Sequence, residues 1–426
     1  MLIMQKLIIS FVIFTTPLAA QAAGFGLAEQ SGSGLGNAYA GAAAIAEDAS
    51  TIYSNPAGMT YVLGTQAIGA LHLIKPNAEF NNDGSVNAAP RPLGGDGGNA
   101  GDLAFVPNMY FKMDINDSVK FGVGVNAPFG LKTEYDKTWL GRFQGIKSEL
   151  KTININPALA FKVNDQLSLG VGVSVMYAKA ELTSAVNIGA AERSSKVEGD
   201  DFGFGFNFGA IYQITPDTRI GASYRSKVEQ KLEGKAKSNF TGLNLIPTRT
   251  LNTDVTANVT LPENISVSAF SRLNDKWDLM GDVTWTRWSQ FEELRVVRDN
   301  GTNSTLTSTP ENWDNTMRYS VAVNYHYSDT IKLRAGLAYD EAAASTAFRT
   351  VRIPDNDRKW LSFGAGWQAT PSTKFDIGYA HLFISDTDID DNQTAPVAPS
   401  PVGKGRVRGD YDASVDVLSL QVTHNF

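Results

Sequence analysis

The chain has no cysteine and little histidine. Among its 426 residues the absence of cysteine excludes disulfide frameworks, thiolate metal sites and cysteine nucleophiles. The four histidines, at positions 72, 326, 381 and 424, lie far apart in sequence, a spacing that does not favour zinc. A net charge of -7 argues against a nucleic-acid partner. We therefore expect no metal, no cofactor and no nucleic acid.

Motifs for catalysis are also missing. No G-x-S-x-G elbow occurs, and no set of serine, histidine and acidic residues stands out. The glycines at 32, 34 and 36 are not preceded by a strand and do not have the G-x-G-x-x-G spacing of a dinucleotide loop. The sequence thus predicts a protein that is not an enzyme.

Long apolar runs are confined to the beginning of the chain. Residues 1–22 contain Lys6, an apolar run from Leu7 to Phe14, and Ala20 and Ala22 in A-x-A spacing, which together indicate a cleaved signal peptide. No later stretch approaches 18 consecutive apolar residues. If the mature chain crosses a membrane, it must do so with strands.

The first part of the mature chain differs in composition from the rest. Most residues from Ala23 to Met59 are glycine, alanine or serine, and their few large apolar groups are too sparse to form a core of their own. This segment needs surrounding walls. We predict a plug at residues 23–62 that is held by a barrel at residues 63–426.

After the plug, apolar and small or polar residues alternate with a period of two. Phe202, Phe204, Phe206 and Phe208, for example, alternate with Gly203, Gly205, Asn207 and Gly209. Such alternation predicts half-buried strands.

Short polar turns recur about every 50 residues, with longer segments between them. The six short turns are Asn116-Asp117, Asn164-Asp165, Pro216-Asp217, Asn274-Asp275, Ser328-Asp329 and Pro371-Ser372. With seven long loops they make 13 connections and hence 14 antiparallel strands. Short turns on one side and long loops on the other are typical of an all-β transmembrane barrel of the bacterial outer membrane. The alternating C-terminus, which ends on Phe426, also favours such a barrel over a large soluble β protein.

Several motifs resemble the FadL/TodX family of outer-membrane transporters for long-chain fatty acids and hydrocarbons. The similar segments begin with Ala23-Gly24-Phe25 and Asn55-Pro56-Ala57 and extend over the mature chain. The others are Ser33 to Tyr39, Val106 to Met109, Tyr224 to Lys227, Leu261 to Glu263, Trp288 to Phe291 and Ile353 to Arg358. The resemblance implies an N-terminal hatch, an outer low-affinity groove, an inner tighter pocket and lateral release at a kinked third strand.

The resemblance also suggests roles for residues of the plug. Phe25, the third residue of the mature chain, is expected to insert into the inner pocket and to leave it when ligand arrives. Asn55, Pro56 and Ala57 are expected to anchor the plug to the wall.

Two of the predicted loops carry apolar residues at helical spacing. One stripe contains Trp139, Leu140, Phe143 and Ile146, and the other contains Phe240, Leu243 and Ile246. Since exposed apolar patches mark binding sites, the two stripes together are expected to form the outer groove. The alternative is that each stripe packs against its own loop or the barrel rim.

A candidate lateral exit follows the third strand, at Ala127, Pro128, Phe129 and Gly130. Proline cannot donate a ladder hydrogen bond, so Pro128 indicates an edge, a bulge or the end of a strand. The residues are expected to open a gap towards lipid; the alternative is that the strand simply stops there.

The resulting hypothesis is passive uptake of hydrophobic small molecules, with long-chain fatty acids favoured. A buried CH₂ contributes roughly 0.8 kcal/mol, whereas an exposed ion pair to a carboxylate contributes about 0 to 1 kcal/mol. The resemblance implies that in fatty-acid members an arginine just after the Tyr-Ala-x-Ala segment and a lysine in a later loop hold the carboxylate. Here Glu181, Leu182 and Thr183 follow Tyr177 to Ala180, and residues 301–310 contain no lysine or arginine. A monoaromatic or other uncharged hydrocarbon is therefore an alternative cargo.

Two other functional classes stay open, namely a general polar-solute porin and a structural or adhesive surface barrel. The partners we expect are a hydrophobic ligand, outer-membrane lipids and the barrel assembly machinery during biogenesis.

Overall fold

The computed structural model describes residues 24–188, 192–238, 251–299, 301, 303–396 and 402–426. The predicted signal peptide at residues 1–22 lies outside these ranges. Among the described residues, no helix has the length and apolar composition needed to cross a membrane.

The chain forms a closed antiparallel barrel of 14 strands, as predicted. Eight of the 14 strands are continuous: β1 (Gln66–Asn82), β2 (Ala104–Asp114), β5 (Lys147–Lys162), β6 (Leu167–Asn187), β7 (Glu192–Thr215), β16 (Ile331–Asp340), β17 (Arg358–Thr370) and β20 (Gly405–Asn425).

The other six strands are each interrupted and consist of two segments. The pairs of segments are β3 (Val119–Asn126) with β4 (Gly130–Glu134), β8 (Thr218–Arg225) with β9 (Val228–Ser238), β10 (Leu251–Leu261) with β11 (Asn264–Asn274), β12 (Trp277–Thr286) with β13 (Glu293–Arg298), β14 (Thr305–Pro310) with β15 (Thr316–His326), and β18 (Thr373–Ile384) with β19 (Thr387–Gln393).

The first and last strands close the barrel. β1 and β20 pair antiparallel along the full length of β1, from Gln66 opposite Asn425 to Asn82 opposite Gly409. The six predicted short turns connect strands at the end of the barrel where β1 begins, and the long loops lie at the other end.

The alternation along each strand places apolar side chains outside and small or polar side chains inside. In β7, Phe202, Phe204, Phe206 and Phe208 are exposed on the outer face, where Phe204 is 73% exposed, whereas Asn207 is buried. A soluble protein would have the opposite arrangement. The apolar outer face is that of a barrel surrounded by lipid, so the soluble alternative is wrong.

The N-terminal segment, residues 24–62, lies against the inward-facing side of these strands. It contains two one-turn helices, α1 (Gly32–Leu35) and α2 (Thr51–Ser54), and a 3₁₀ helix (Pro56–Thr60). Its backbone is bonded by strand side chains: Gly32 N donates to Gln421 Oε1 (2.9 Å), and Ala43 N donates to Ser268 Oγ (3.0 Å). The strands thus supply hydrogen-bond partners that the segment's own side chains do not.

Glycines on the inner face let the N-terminal segment approach the strands. A Cβ added to Gly170 would lie 2.3 Å from Ala57 N, and one added to Gly336 would lie 2.4 Å from the carbonyl carbon of Asn37. Both clashes involve backbone, which cannot rotate away as a flexible side chain can. The inner glycines are therefore required by backbone-to-backbone packing.

This packing gives a test of the predicted plug. Gly170→Ala should push Pro56 and Ala57 away from β6 and raise the single-channel conductance of the purified protein in planar bilayers. Gly281→Ala is the matched control, because the nearest atom to its added Cβ is 3.8 Å away. Equal conductance in the two variants would contradict the idea that the segment limits flow through the barrel.

Candidate functional site

Phe25 lies in a cage of aromatic side chains and is only 2% exposed. Its ring centroid is 4.7 Å from that of Trp288, 5.4 Å from that of Phe291, 5.5 Å from that of Trp313 and 6.2 Å from that of Phe129. Most of these contacts are edge-to-face or tilted, which are favourable arrangements for aromatic pairs. The amide of the preceding Gly24 donates to Asp355 Oδ2 (2.7 Å).

The cage exists because two neighbouring strands turn inward at the same height. Between β12 and β13 a 3₁₀ helix (Trp288–Gln290) replaces the strand, and between β14 and β15 the chain passes through residues 311–315. The two inward segments are bonded to each other, since Glu311 N donates to Glu292 O (2.8 Å). This arrangement brings Trp288, Phe291 and Trp313 into contact inside the barrel.

An apolar cavity of about 80 Å³ lies beside Phe25. Most of its lining is aliphatic, and Phe25 itself forms part of its wall; the aliphatic lining residues include Leu150, Leu232, Val259, Leu294, Val296 and Ile353. A second cavity of about 220 Å³ follows the N-terminal segment and includes charged groups such as Arg225 and Asp282. The first cavity is the more apolar of the two.

Asn55 is completely buried at the contact between the N-terminal segment and the strands. Its Oδ1 accepts from Ala57 N (3.0 Å) and so caps the 3₁₀ helix that begins at Pro56. Its Nδ2 donates to Ala43 O (2.7 Å) and to Ala210 O in β7 (3.1 Å). The geometry brings Asn55, Pro56 and Ala57 to the wall; their anchoring role stays a prediction.

A second polar connection to the strands was not found from the sequence. Glu47 Oε1 lies 3.0 Å from Lys332 Nζ, 2.8 Å from Arg334 Nη2 and 2.7 Å from Lys374 Nζ, and Arg334 also contacts Asp376 (2.9 Å). Removing one member of a buried ion cluster typically costs several kcal/mol. No local sequence signal brings Glu47 to this cluster, because Glu47 is more than 280 residues from each of its three basic partners.

The first stripe of the predicted outer groove is not exposed as expected. Trp139, Leu140 and Phe143 were expected to be exposed, but they are 1%, 5% and 3% exposed. Trp139 stacks on Tyr135 with ring centroids 3.9 Å apart and donates from Nε1 to Gly145 O (2.8 Å). The alternative, packing against their own loop or the barrel rim, therefore describes these three side chains.

The remaining residues of the predicted outer groove are Ile146 and the second stripe. Ile146 is partly buried and packs against the same loop residues. Phe240, Leu243 and Ile246, the second stripe, lie outside the described residues.

At the predicted exit the third strand is interrupted but does not end. It continues as β4, which pairs with β5 from Gly130 opposite Lys151. On its other side the third strand pairs with β2 only as far as Val125, which lies opposite Met109. The intervening backbone is bonded to the N-terminal segment instead, because Leu27 N donates to Pro128 O (2.8 Å) and Gly130 N donates to Phe25 O (2.9 Å).

The other predicted exit residues take part in the same contacts. Ala127 O accepts from Gln30 Nε2 (3.3 Å), and Phe129 N donates to Thr152 Oγ1 (3.1 Å). The structure thus brings Ala127 to Gly130 next to Phe25; their role in release stays a prediction.

Two ionisable groups near the apolar cavity were also missed. Arg352 donates from Nη1 to Ser148 Oγ (3.0 Å), and both Ser148 and the adjacent Ile353 line the cavity. Burial lowers the pKa of Arg352 to about 10, so the group is still cationic at neutral pH. The carboxyl group of Glu311 accepts from Trp313 Nε1 (3.2 Å). The apolar cavity thus lies among ionisable groups: Glu149 and Glu198 form part of its lining, and Arg352 lies next to its lining residue Ile353.

Comparison with known proteins agrees with this architecture. The family model described as outer membrane protein transport protein (OMPP1/FadL/TodX) matches residues 13–426. Outer membrane protein P1 of Haemophilus influenzae is 34% identical over 403 residues, which cover 85% of this chain and 86% of that protein. The long-chain fatty acid transport protein of Escherichia coli K12 is 30% identical over 401 residues, 85% of this chain and 88% of that protein.

Solved structures show the same fold. A Pseudomonas aeruginosa FadL homologue superposes with a TM-score of 0.85 at 26% identity, covering 95% of this chain and all of the other. The toluene transporter TodX of P. putida superposes with a TM-score of 0.69 at 16% identity, covering 89% and 94%. This chain therefore belongs to the OMPP1/FadL/TodX family of outer membrane transport proteins, which are transport channels and not enzymes.

Proposed function

We propose that this protein takes up long-chain fatty acids passively across the outer membrane. The observation that carries the proposal is the apolar cavity beside Phe25 inside a barrel of this family. The names of the relatives from E. coli support fatty acids as cargo. A long alkyl chain brings on the order of 10 kcal/mol of its own desolvation free energy to such a cavity, before the costs of binding.

In this proposal residues 23–62 are the plug and Phe25 is its gate. The cavity of about 80 Å³ is too small for a long chain as long as Phe25 occupies the cage, so ligand must displace the ring. The bonds of Asn55 and Glu47 to the strands hold the rest of the plug while its first residues move.

Arg352 is our candidate for the group that receives the carboxylate. Among the described residues no carboxylate forms an ion pair with it, and its hydrogen bonds go to Lys147 O and Ser148 Oγ. It thereby supplies the cation that is missing after Ala180 and in residues 301–310. An uncharged hydrocarbon is the second candidate cargo, favoured by the aliphatic lining of the cavity.

The other functional classes fit less well. A polar-solute porin needs an open lumen, whereas here residues 24–62 pack on the inner face of several strands. An adhesive barrel needs an exposed outer stripe, whereas Trp139, Leu140 and Phe143 are buried.

Release is proposed to occur sideways at Ala127 to Gly130. The neighbouring outward side chains Met109, Ile153 and Ile155 are exposed and apolar, so a gap here opens towards lipid hydrocarbon. Outer-membrane lipids would then receive the ligand and spare it transfer to water. The barrel assembly machinery is a further proposed partner, during biogenesis.

The role of Arg352 is tested with two ligands that share one chain. Arg352→Gln should weaken binding of oleate to the purified protein by roughly 10- to 100-fold, the loss of hydrogen bonds to a charged group, and leave oleyl alcohol unaffected. Arg352→Lys keeps the positive charge and should therefore bind oleate better than Arg352→Gln does, with binding of oleyl alcohol again unaffected. Equal loss for both ligands would contradict a head-group role, and failure of the wild-type protein to bind either would contradict fatty-acid transport.

The gate is tested by removing its ring. Phe25→Ala should tighten oleate binding by about 10-fold or more, because ligand no longer has to displace a buried aromatic side chain whose truncation is worth several kcal/mol. Phe80→Ala is a control, since Phe80 is also buried among aromatic rings but packs on Tyr411 and Trp139. Weaker binding in Phe25→Ala would show instead that the ring is part of the bound state.

The exit is tested by restoring strand character. Pro128→Val with Gly130→Thr should lengthen the pairing between β2 and the third strand and slow uptake of labelled oleate by cells, while oleate binding to the purified protein stays unchanged. Normal uptake by a variant in which amide exchange shows residues 127–130 paired with β2 would refute this route.

A further inference from the structure

The barrel has a further interruption of pairing, on the side away from β3. β10 and β13 form only two ladder pairs, Val255 opposite Arg298 and Thr256 opposite Val297. The next bond between these two barrel strands is Arg287 N to Glu263 O (3.0 Å). Among the described residues, no ladder pair joins residues 257–262 of one strand to residues 288–296 of the other.

Pairing is interrupted because the two strands have different numbers of residues between the last ladder pair and the next backbone bond. Six residues (257–262) face nine (288–296), and the surplus forms the 3₁₀ helix that carries Trp288 inward. From Thr256 to Glu263 the first strand advances seven residues, or about 23 Å at roughly 3.3 Å per residue. Its other edge is continuously paired with β9, from Ala257 opposite Leu232 to Leu261 opposite Val228, so the interruption is on one side only.

The gap leads directly to the apolar cavity. Ala257 and Val259 on one edge, and Phe291, Leu294 and Val296 on the other, all line the cavity beside Phe25. The two edges of the gap are therefore also two walls of the cavity, and an apolar chain that passes between them enters the cavity directly.

The surroundings of this gap differ from those of the break at Pro128. Its outward side chains are polar: Asn258, Glu293 and Arg295 are exposed, and Glu263 pairs with Arg287 (3.1 Å) immediately beside it. At the Pro128 break the outward side chains are apolar. The gap between β10 and β13 thus lies beyond the apolar band of the barrel, at the height of head groups and water.

We propose that this gap is a side entrance through which the apolar chain of a single-chain amphiphile reaches the inner cavity from the polar layer of the outer membrane surface. The inference rests on the proposed uptake function and assigns its entrance. It also accounts for the burial of Trp139, Leu140 and Phe143, because capture no longer depends on an exposed surface at those residues.

The experiment uses the absence of native cysteine. In the double variant Asn258→Cys with Arg295→Cys, both thiols face outward on opposite edges of the gap, and a short bis-maleimide joins them without filling the cavity. The matched control is Asn258→Cys with Lys231→Cys, which joins two exposed residues that the ladder between β10 and β9 already holds together. Mass spectrometry confirms each cross-link, and unreacted samples of both variants serve as references.

Cross-linking Asn258→Cys to Arg295→Cys should lower the initial rate of labelled oleate uptake at least fivefold, while cross-linking the control pair changes it less than twofold. Uptake within twofold of the unreacted sample in the cross-linked test pair would overturn the side entrance and indicate entrance from the loop end of the barrel. Absence of uptake already in the wild-type protein would instead contradict the proposed function on which the entrance rests.

A single-site version covers the case in which the two thiols do not cross-link. Asn258→Cys modified with a bulky maleimide should slow uptake, whereas Asn252→Cys, an exposed position of β10 that is fully paired with β9, should not. Equal uptake by the two modified proteins would overturn the proposal as well.

Discussion

Each backbone N–H and C=O group of a strand that faces lipid must be hydrogen-bonded within the protein, because the membrane interior supplies no water. This requirement closes the barrel between β1 and β20 and makes every interruption of pairing informative. At Pro128 the missing strand partner is replaced by Leu27 N and Phe25 O. At the inward segments after β12 and β14 the two strands bond to each other. An interruption that faces lipid is tolerated only where such substitutes exist.

The replacement bonds at Pro128 couple the gate to the exit. The backbone of Phe25 accepts from Gly130 N, and the ring of Phe25 fills the cage beside the cavity. In the proposed mechanism, ligand that displaces the ring also removes the bonds that cover the break in the third strand. Filling the pocket and opening the exit are then one event, which requires no energy source other than burial of the ligand.

The interruptions at Pro128 and between β10 and β13 also differ in what surrounds them, and this difference gives the proposed route a direction. Polar outward side chains at the gap between β10 and β13 suit an entrance from the membrane surface, and apolar outward side chains at Pro128 suit an exit into hydrocarbon. An apolar chain that follows this path passes from the polar layer of the membrane surface into the apolar cavity, and from the cavity into lipid hydrocarbon. The inner cavity lies between the two and is closed by Phe25.

The sequence by itself determined the barrel. Alternation with a period of two, six short turns and seven long loops are local patterns, and they predicted 14 strands because strand faces and turns depend on neighbouring residues. The motif at Asn55 lies at a contact with the strands and the proline at 128 lies at an interruption of the third strand, while the roles predicted for them stay predictions. Tertiary structure alone decided which loop residues are exposed, because stacking on Tyr135 buries Trp139 despite its helical spacing. Tertiary structure alone also brought Glu47 to Lys374 and Arg352 to the cavity, since these contacts join residues far apart in the chain. The gap between β10 and β13 likewise could not be predicted, because it arises from a difference in the number of residues in two paired strands.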